Sequence, residues 1–171
     1  HIPEDRHKHG LILEFEAYEN MILGFHNTEM TGVGKLLDKN HMLAHATERM
    51  DEYDIRPRNP KLLASSFSGG NQQKIVVARE LYRNPKLLIV GEPTRGVDVG
   101  AIEFIHKQLI KLRDQGCAII LVSVELDEIL GLSDRILVMN KGQEVSTVDG
   151  EEANPKDLGL MMAGISQGAS N

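Results

Sequence analysis

A chain of 171 residues with 41% apolar and 26% charged side chains has material for one sizeable core, which excludes long disorder, collagen-like repeats and fibrous coils. Its 25 acidic residues outnumber 19 basic ones for a formal charge of −6, so the overall field repels polyanions and no nucleic acid partner is expected. The one cysteine, Cys117, permits no disulfide within these residues; set in the apolar run Cys117 to Val122, it reads as a buried, inert thiol suited to a reducing compartment. No apolar stretch approaches the roughly 18 residues needed to span a bilayer, so a membrane link is expected to run through a partner protein.

In chain order, the acidic first third carries helical patterns at Glu16 to Leu23 and Lys39 to Asp54 around the loop Asn27 to Gly34. The pattern Lys74 to Tyr82 must stop at Asn84, because Pro85 cannot continue a helix and disfavours helical geometry in the residue before it. From Lys86 onward the apolar runs Leu87 to Val90 and Ala118 to Val122 alternate with amphipathic segments at Ala101 to Arg113 and Leu126 to Leu132. Runs apolar at every position predict parallel strands covered by helices on both faces, an open α/β sheet. Ile136 to Met139, the turn Asn140-Lys141-Gly142 and Gln143 to Val148 predict a hairpin. Beyond Gly150 a short helix is expected, running into disorder at Gln167 to Asn171.

Two glycine-rich stretches invite a phosphate. Gly32-Val33-Gly34-Lys35-Leu36 imitates the loop G-x-x-x-x-G-K-[ST], whose amides wrap phosphates and whose hydroxyl holds magnesium. Glu29 stands where its first glycine belongs and Leu36 where the hydroxyl belongs, so a plain loop is expected. Phe67-Ser68-Gly69-Gly70-Asn71-Gln72-Gln73 differs, because it leads straight into a helix. Ser68 is an N-cap candidate, and glycines in the first turn leave amides bare at the positive end of the helix dipole. A carboxylate introduced at Gly70 is expected to repel a phosphate there.

Further along, Leu87 to Val90 runs into Gly91-Glu92-Pro93-Thr94, placing the Glu92 carboxylate at the carboxyl end of a parallel strand, where α/β sheets build their sites. Arg95-Gly96-Val97-Asp98-Val99-Gly100-Ala101 then makes a turn with an acid at the start of the next helix, and the second strand ends at Leu121-Val122-Ser123 before Val124-Glu125-Leu126.

In this order the motifs resemble the second half of an ATP-binding cassette (ABC) ATPase domain. With Ile2 to Leu11, Ser68 to Lys74 and Glu92 to Ala101 they are similar to the carboxyl-terminal cassette of two-cassette importer ATPases for simple sugars and nucleosides. The likeness covers about residues 1 to 150, and is specific around 66 to 101 and loose over 12 to 60. It implies a partial ABC nucleotide-binding domain over 1–150, an α/β fold with a parallel sheet core, a helical signature subdomain (12–84) and a carboxyl-terminal β-hairpin. Residues 85–150 would carry the Walker B strand, D-loop and switch, and 151–171 a tail. By the same resemblance Ser68, Gly69, Gly70 and Gln72 are the signature residues that bind nucleotide in trans, Glu92 is the catalytic carboxylate, Asp98 the D-loop aspartate, Glu4 the Q-loop position and Val124 the switch position.

The departures matter as much. The family's Walker A loop is expected upstream of Ile2, so the chain is expected to be a truncated cassette, inactive by itself. Its Walker B strand should end in Asp-Glu, and Gly91 replaces the metal-holding aspartate. Val124 replaces the switch histidine and cannot donate a hydrogen bond to a γ-phosphate. The site built on this cassette is therefore expected to be degenerate, while its signature loop completes the ATP site of the amino-terminal cassette of the same polypeptide. ATP and Mg2+ are expected as cofactors of the dimeric assembly only. Transmembrane permease subunits and, indirectly, an external solute-binding protein are implied as partners at the cytoplasmic face of the plasma membrane. The alternative is a soluble, non-transport ABC protein or a regulatory half-cassette without turnover.

Other residues have plainer readings. His41 and His45, spaced i, i+4, are expected on a solvated helix face, since Met42 occupies the place of a metalloprotease glutamate. His7 and His9 sit in a polar loop without a third ligand, Met161 and Met162 are expected to pack on the body, and no metal site is expected. Asp98 should cap its helix as well as serve the D-loop, and Glu125 to Glu128 should form a helix start favouring negative charge.

Overall fold

Helices come first in the chain and strands later. The computed structural model describes residues 1–24 and 36–164. A π-helical turn (Arg6–Gly10) leads to α1 (Ala17–Asn20), α2 (Lys39–Glu52), α3 (Gly69–Tyr82), β1 (Leu87–Gly91), α4 (Val99–Asp114) and β2 (Ala118–Val122). Then follow α5 (Leu126–Leu132), β3 (Arg135–Asn140), β4 (Gln143–Asp149) and α6 (Pro155–Met162). Two compact units form, His1–Ile120 and Leu121–Asn171, and the division falls inside β2. The phosphate-loop mimic lies outside the described residues except for Leu36, which is exposed.

In the first unit α3 is buried almost all round, with Ile75, Val76, Val77 and Ala78 fully inaccessible. Each large aliphatic side chain so buried stabilises the unit by about 1.5–3 kcal/mol. The helix stops where Pro85 requires: Tyr82 is its last residue, and Asn84 takes a left-handed φ of 45°, which asparagine tolerates at a helix end. Helix α4 buries Ala101, Ile105, Leu109 and Leu112, one stripe at helical spacing. It also supplies the crossover that parallel neighbours need, and β2 pairs with β1. On the other side of β1, Ile2 bridges Val90 in parallel, its amide donating to Ile89 O at 2.9 Å and its carbonyl accepting from Gly91 N at 2.9 Å.

Coverage of the sheet departs from expectation. Leu88 and Val90 are buried, but Leu87, Ile89 and Ile120 are 54%, 44% and 51% exposed. Alternate residues of a strand point to opposite faces. Among the described residues only the face of Leu88 and Val90 is covered, although the run is apolar throughout.

The second unit has its own small core of Ile136, Val138, Leu158 and Met161. Lys141 and Gly142 both take positive φ (48° and 78°), the backbone of a two-residue turn matched to strand twist, so β3 and β4 form the expected antiparallel hairpin, with a bulge between Val138 and Met139. The tail is more than an appendage, because α6, capped by Asn154 and opened by Pro155, supplies Leu158 and Met161 to this core while Met162 stays 39% exposed. Among the described residues no helix is long and apolar enough to cross a membrane.

Candidate functional site

The start of α3 is built by a local cap and a distant clamp. Ser68 is extended (φ −62°, ψ 158°) and exposed; its Oγ accepts from the Asn71 amide at 3.5 Å and from Asn71 Nδ2 at 2.9 Å. Asn71 Oδ1 in turn accepts the Arg56 amide at 2.7 Å. The Gly69 and Gly70 amides stand in the first turn, where no intrahelical acceptor exists, next to the exposed Ser68.

The glycines themselves have a further cause. A Cβ at Gly69 would lie 2.9 Å from both Arg6 Nη2 and Gly96 O, and one at Gly70 would lie 2.5 Å from Asp98 Oδ2 and 2.9 Å from Ala101 Cβ. Close approach of the aspartate turn therefore demands both glycines. Gly70 is buried, so a carboxylate introduced there meets Asp98 within the chain before it meets any phosphate. Gln72 is also turned inward: 6% exposed, its Oε1 bonds to His7 Nε2 at 2.7 Å and its Nε2 donates to Ala64 O at 3.0 Å.

At the end of β1, a Cβ on Gly91 would sit 3.2 Å from Glu4 N, so a larger residue requires the Glu4 backbone to yield by a few tenths of an ångström. Glu92 is half-buried with φ 43°, a left-handed conformation that costs a non-glycine residue about 1–3 kcal/mol and collects at functional sites. Glu4 is exposed and accepts from Arg95 Nη1 at 3.0 Å. Asp98 Oδ1 accepts the Ala101 amide at 3.0 Å, so the expected cap of α4 is present, while Oδ2 faces Gly70.

The first unit thus brings together Ser68, Gly69, Gly70, Glu4, Gly91, Glu92 and Asp98. Val124 belongs to the second unit and is 66% exposed. Asp127 and Glu128 occupy the first turn of α5, as expected for the positive end of a helix. Among the described residues no three His, Cys, Asp or Glu side chains converge on one point. His45 corrects the solvated-face reading: it is buried, edge-on to Tyr82 with centroids 4.5 Å apart, because α2 turns Met42, His45, Ala46 and Met50 inward. His41 is exposed as expected. Burial pushes the Cys117 thiol up, in keeping with an inert role, and pushes the Arg6 guanidinium down, while the Lys8 and His7 amides hold the Asp5 carboxyl below its ordinary value. Arg6 escaped the sequence reading, its only signal being membership of the stretch Ile2 to Leu11, and His7, weighed there only as a metal ligand, instead bonds Gln72.

The profile of the ABC transporter family matches residues 2–95, more than half of the chain. The chain belongs to that family. Within it, this ABC transporter chain is 51% identical over 165 residues to the nucleoside import ATP-binding protein NupA of Lactococcus lactis, covering 96% of the chain and 32% of the relative. It is 48% identical over 168 residues to the guanosine import ATP-binding protein NupO of Bacillus subtilis (98% and 33%), and 40% over 163 residues to a ribose import ATP-binding protein RbsA of Bacillus cereus (95% and 32%). It spans about a third of the length of these relatives. Among solved structures, the dimeric bacterial ABC transporter cassette MJ0796 matches with a TM-score of 0.67 at 21% identity, covering 84% of this chain and 60% of that one, a likeness of fold.

Proposed function

We propose that the chain is part of the carboxyl-terminal nucleotide-binding cassette of a two-cassette ABC importer subunit, and that its start of α3 closes over ATP held by the amino-terminal cassette of the same polypeptide. The observation that carries this reading is the Ser68-capped helix start, with the Gly69 and Gly70 amides in its first turn and the Asp98 turn packed against it. Ser68, Gly69 and Gly70 would meet the phosphates of that ATP, and its Mg2+ would be held by those phosphates and the opposite cassette. Gln72, bonded to His7 and Ala64, would support the helix rather than touch nucleotide. By the resemblance, the site on this cassette would be impaired, since Gly91 offers no metal ligand and the Val124 side chain no hydrogen-bond donor. Permease subunits would be driven from the cytoplasmic face of the membrane, with an external solute-binding protein delivering the solute. Higher identity to relatives named for nucleoside and guanosine import than to those named for ribose supports a nucleoside as that solute.

Ser68→Asp and Glu92→Gln in the full-length subunit test the division of labour, read as uptake of labelled guanosine against labelled ribose. Aspartate caps a helix as well as serine, so Ser68→Asp keeps the fold yet sets a charge against phosphate, a repulsion of roughly 4 kcal/mol at 4 Å. Guanosine uptake should fall at least about 100-fold in Ser68→Asp and less than about threefold in Glu92→Gln. Equal damage from both would make the site on this cassette catalytic, and ribose uptake without guanosine uptake would overturn the solute.

A further inference from the structure

The stretch Asp5 to Gly10 has no contact with nucleotide in the reading above, yet its side chains reach two elements of the site. Arg6 Nη1 donates to Arg95 O at 2.7 Å and Nη2 to Gly96 O at 3.2 Å, so one planar fork spans two successive carbonyls of the turn that leads to Asp98. The same Nη2 is what a Cβ at Gly69 would strike. His7 Nε2 is bonded to Gln72 Oε1 in the second turn of α3. The direction of that bond follows from Gln72: its Nε2 donates to the Ala64 carbonyl, which can only accept, so the amide oxygen faces His7 and His7 Nε2 carries the proton. Asp5 closes the turn by accepting the His7 and Lys8 amides at 3.0 and 3.1 Å. Arg6 Nε is buried with no partner among the described residues. A fork held on two successive carbonyls fixes orientation as well as distance, and its use is geometric.

Resting on the reading of α3 and the Asp98 turn as signature and D-loop, we infer that Arg6 and His7 are positioning residues that lock both elements to the segment carrying Glu4. Neither touches nucleotide; they make the three elements shift as one body when ATP engages. Glu4 is tied into the same body by its ion pair with Arg95.

The test uses the full-length protein with Arg6→Lys, Arg6→Ala, His7→Phe and His7→Gln. Lysine keeps the charge and loses the fork; phenylalanine keeps the ring and loses the donor, which glutamine restores. Hydrogen exchange of the peptide 93–98 should quicken roughly tenfold in both Arg6 variants, the loss of charge-assisted hydrogen bonds, while peptide 74–79 is unchanged. Steady-state ATPase should show kcat down about tenfold with KM for ATP within twofold, and His7→Gln should recover most of what His7→Phe loses. Unchanged exchange of 93–98 in Arg6→Lys and Arg6→Ala overturns the inference, as does faster exchange with unchanged kcat. If Arg6→Ala fails to fold, Arg6→Lys and the His7 pair decide. Absence of ATPase activity in the unmutated protein would defeat the proposed function instead, and the exchange measurement would still decide whether the fork holds the turn.

Discussion

A methyl group added at Gly70 would sit 2.5 Å from Asp98 Oδ2, so the smallest possible side chain already collides across two elements. Gly70→Ala gains about 1 kcal/mol of helix propensity but must push the aspartate turn away, and overpacking of this kind costs about 1–3 kcal/mol. Urea denaturation should show net destabilisation, with partial recovery in Gly70→Ala/Asp98→Ala; a stabilised Gly70→Ala would refute the close approach. Tyr53 gives a pH signature. It is 5% exposed, lies edge-on to Phe104 at 6.0 Å, and burial, aided by Glu52, pushes its phenol up to about 12. The folded state thus favours the neutral phenol more than the unfolded state, whose value is near 10. Stability from Tyr53 is fully present below about pH 10 and is lost as pH rises through about 12. Denaturation midpoints between pH 9 and 12 should therefore fall more steeply in the natural protein than in Tyr53→Phe, and parallel curves would count against the assignment.

Many elements in this chain are specified locally. The hairpin of β3 and β4, the caps of α3, α4 and α6 and the stop of α3 before Pro85 all follow from residues within four positions of the feature, which is why the sequence shows them. The join between β4 and α6 is different. Gly150 donates its amide to Asp134 O at 2.8 Å, and a Cβ there would run into the Ser133 carbonyl oxygen. A backbone atom cannot swing aside as a side chain can, so Gly150→Ala should displace the α5–β3 loop or the start of α6 and destabilise the second unit by about 2 kcal/mol or more. Loss of the Leu158 and Met161 methyl NMR shifts typical of a packed core would report it, and unchanged shifts with an unchanged denaturation midpoint would contradict it. Nothing in the local pattern around Gly150 announces this contact.

At the scale of the molecule, these 171 residues contain no complete G-x-x-x-x-G-K-[ST] loop. The phosphates of ATP would find a helix start but neither the wrapped amides nor the lysine that hold them in a working site. Calorimetry of this chain with magnesium ATP should show no saturable binding in the low micromolar range; a well-formed isotherm there would require a nucleotide site of another kind.

What the sequence determined by itself is the kind and order of elements and the two helix starts at Ser68 and Asp98, because hydrophobic period, capping and turn chemistry act over a few residues. It also carried the motif order that placed the chain in the ABC transporter family before any geometry was known. Only the tertiary structure decided that Gln72 and His45 turn inward, that one face of the sheet is uncovered among the described residues, and that the tail belongs to a core. It alone showed that Gly69 and Gly70 answer to Arg6, Gly96 and Asp98. Arg6 and the carbonyl it clamps are 89 residues apart, and no local pattern records which distant backbone will crowd a helix start. Close approach is a property of the assembled chain, set by packing among elements that each look complete alone.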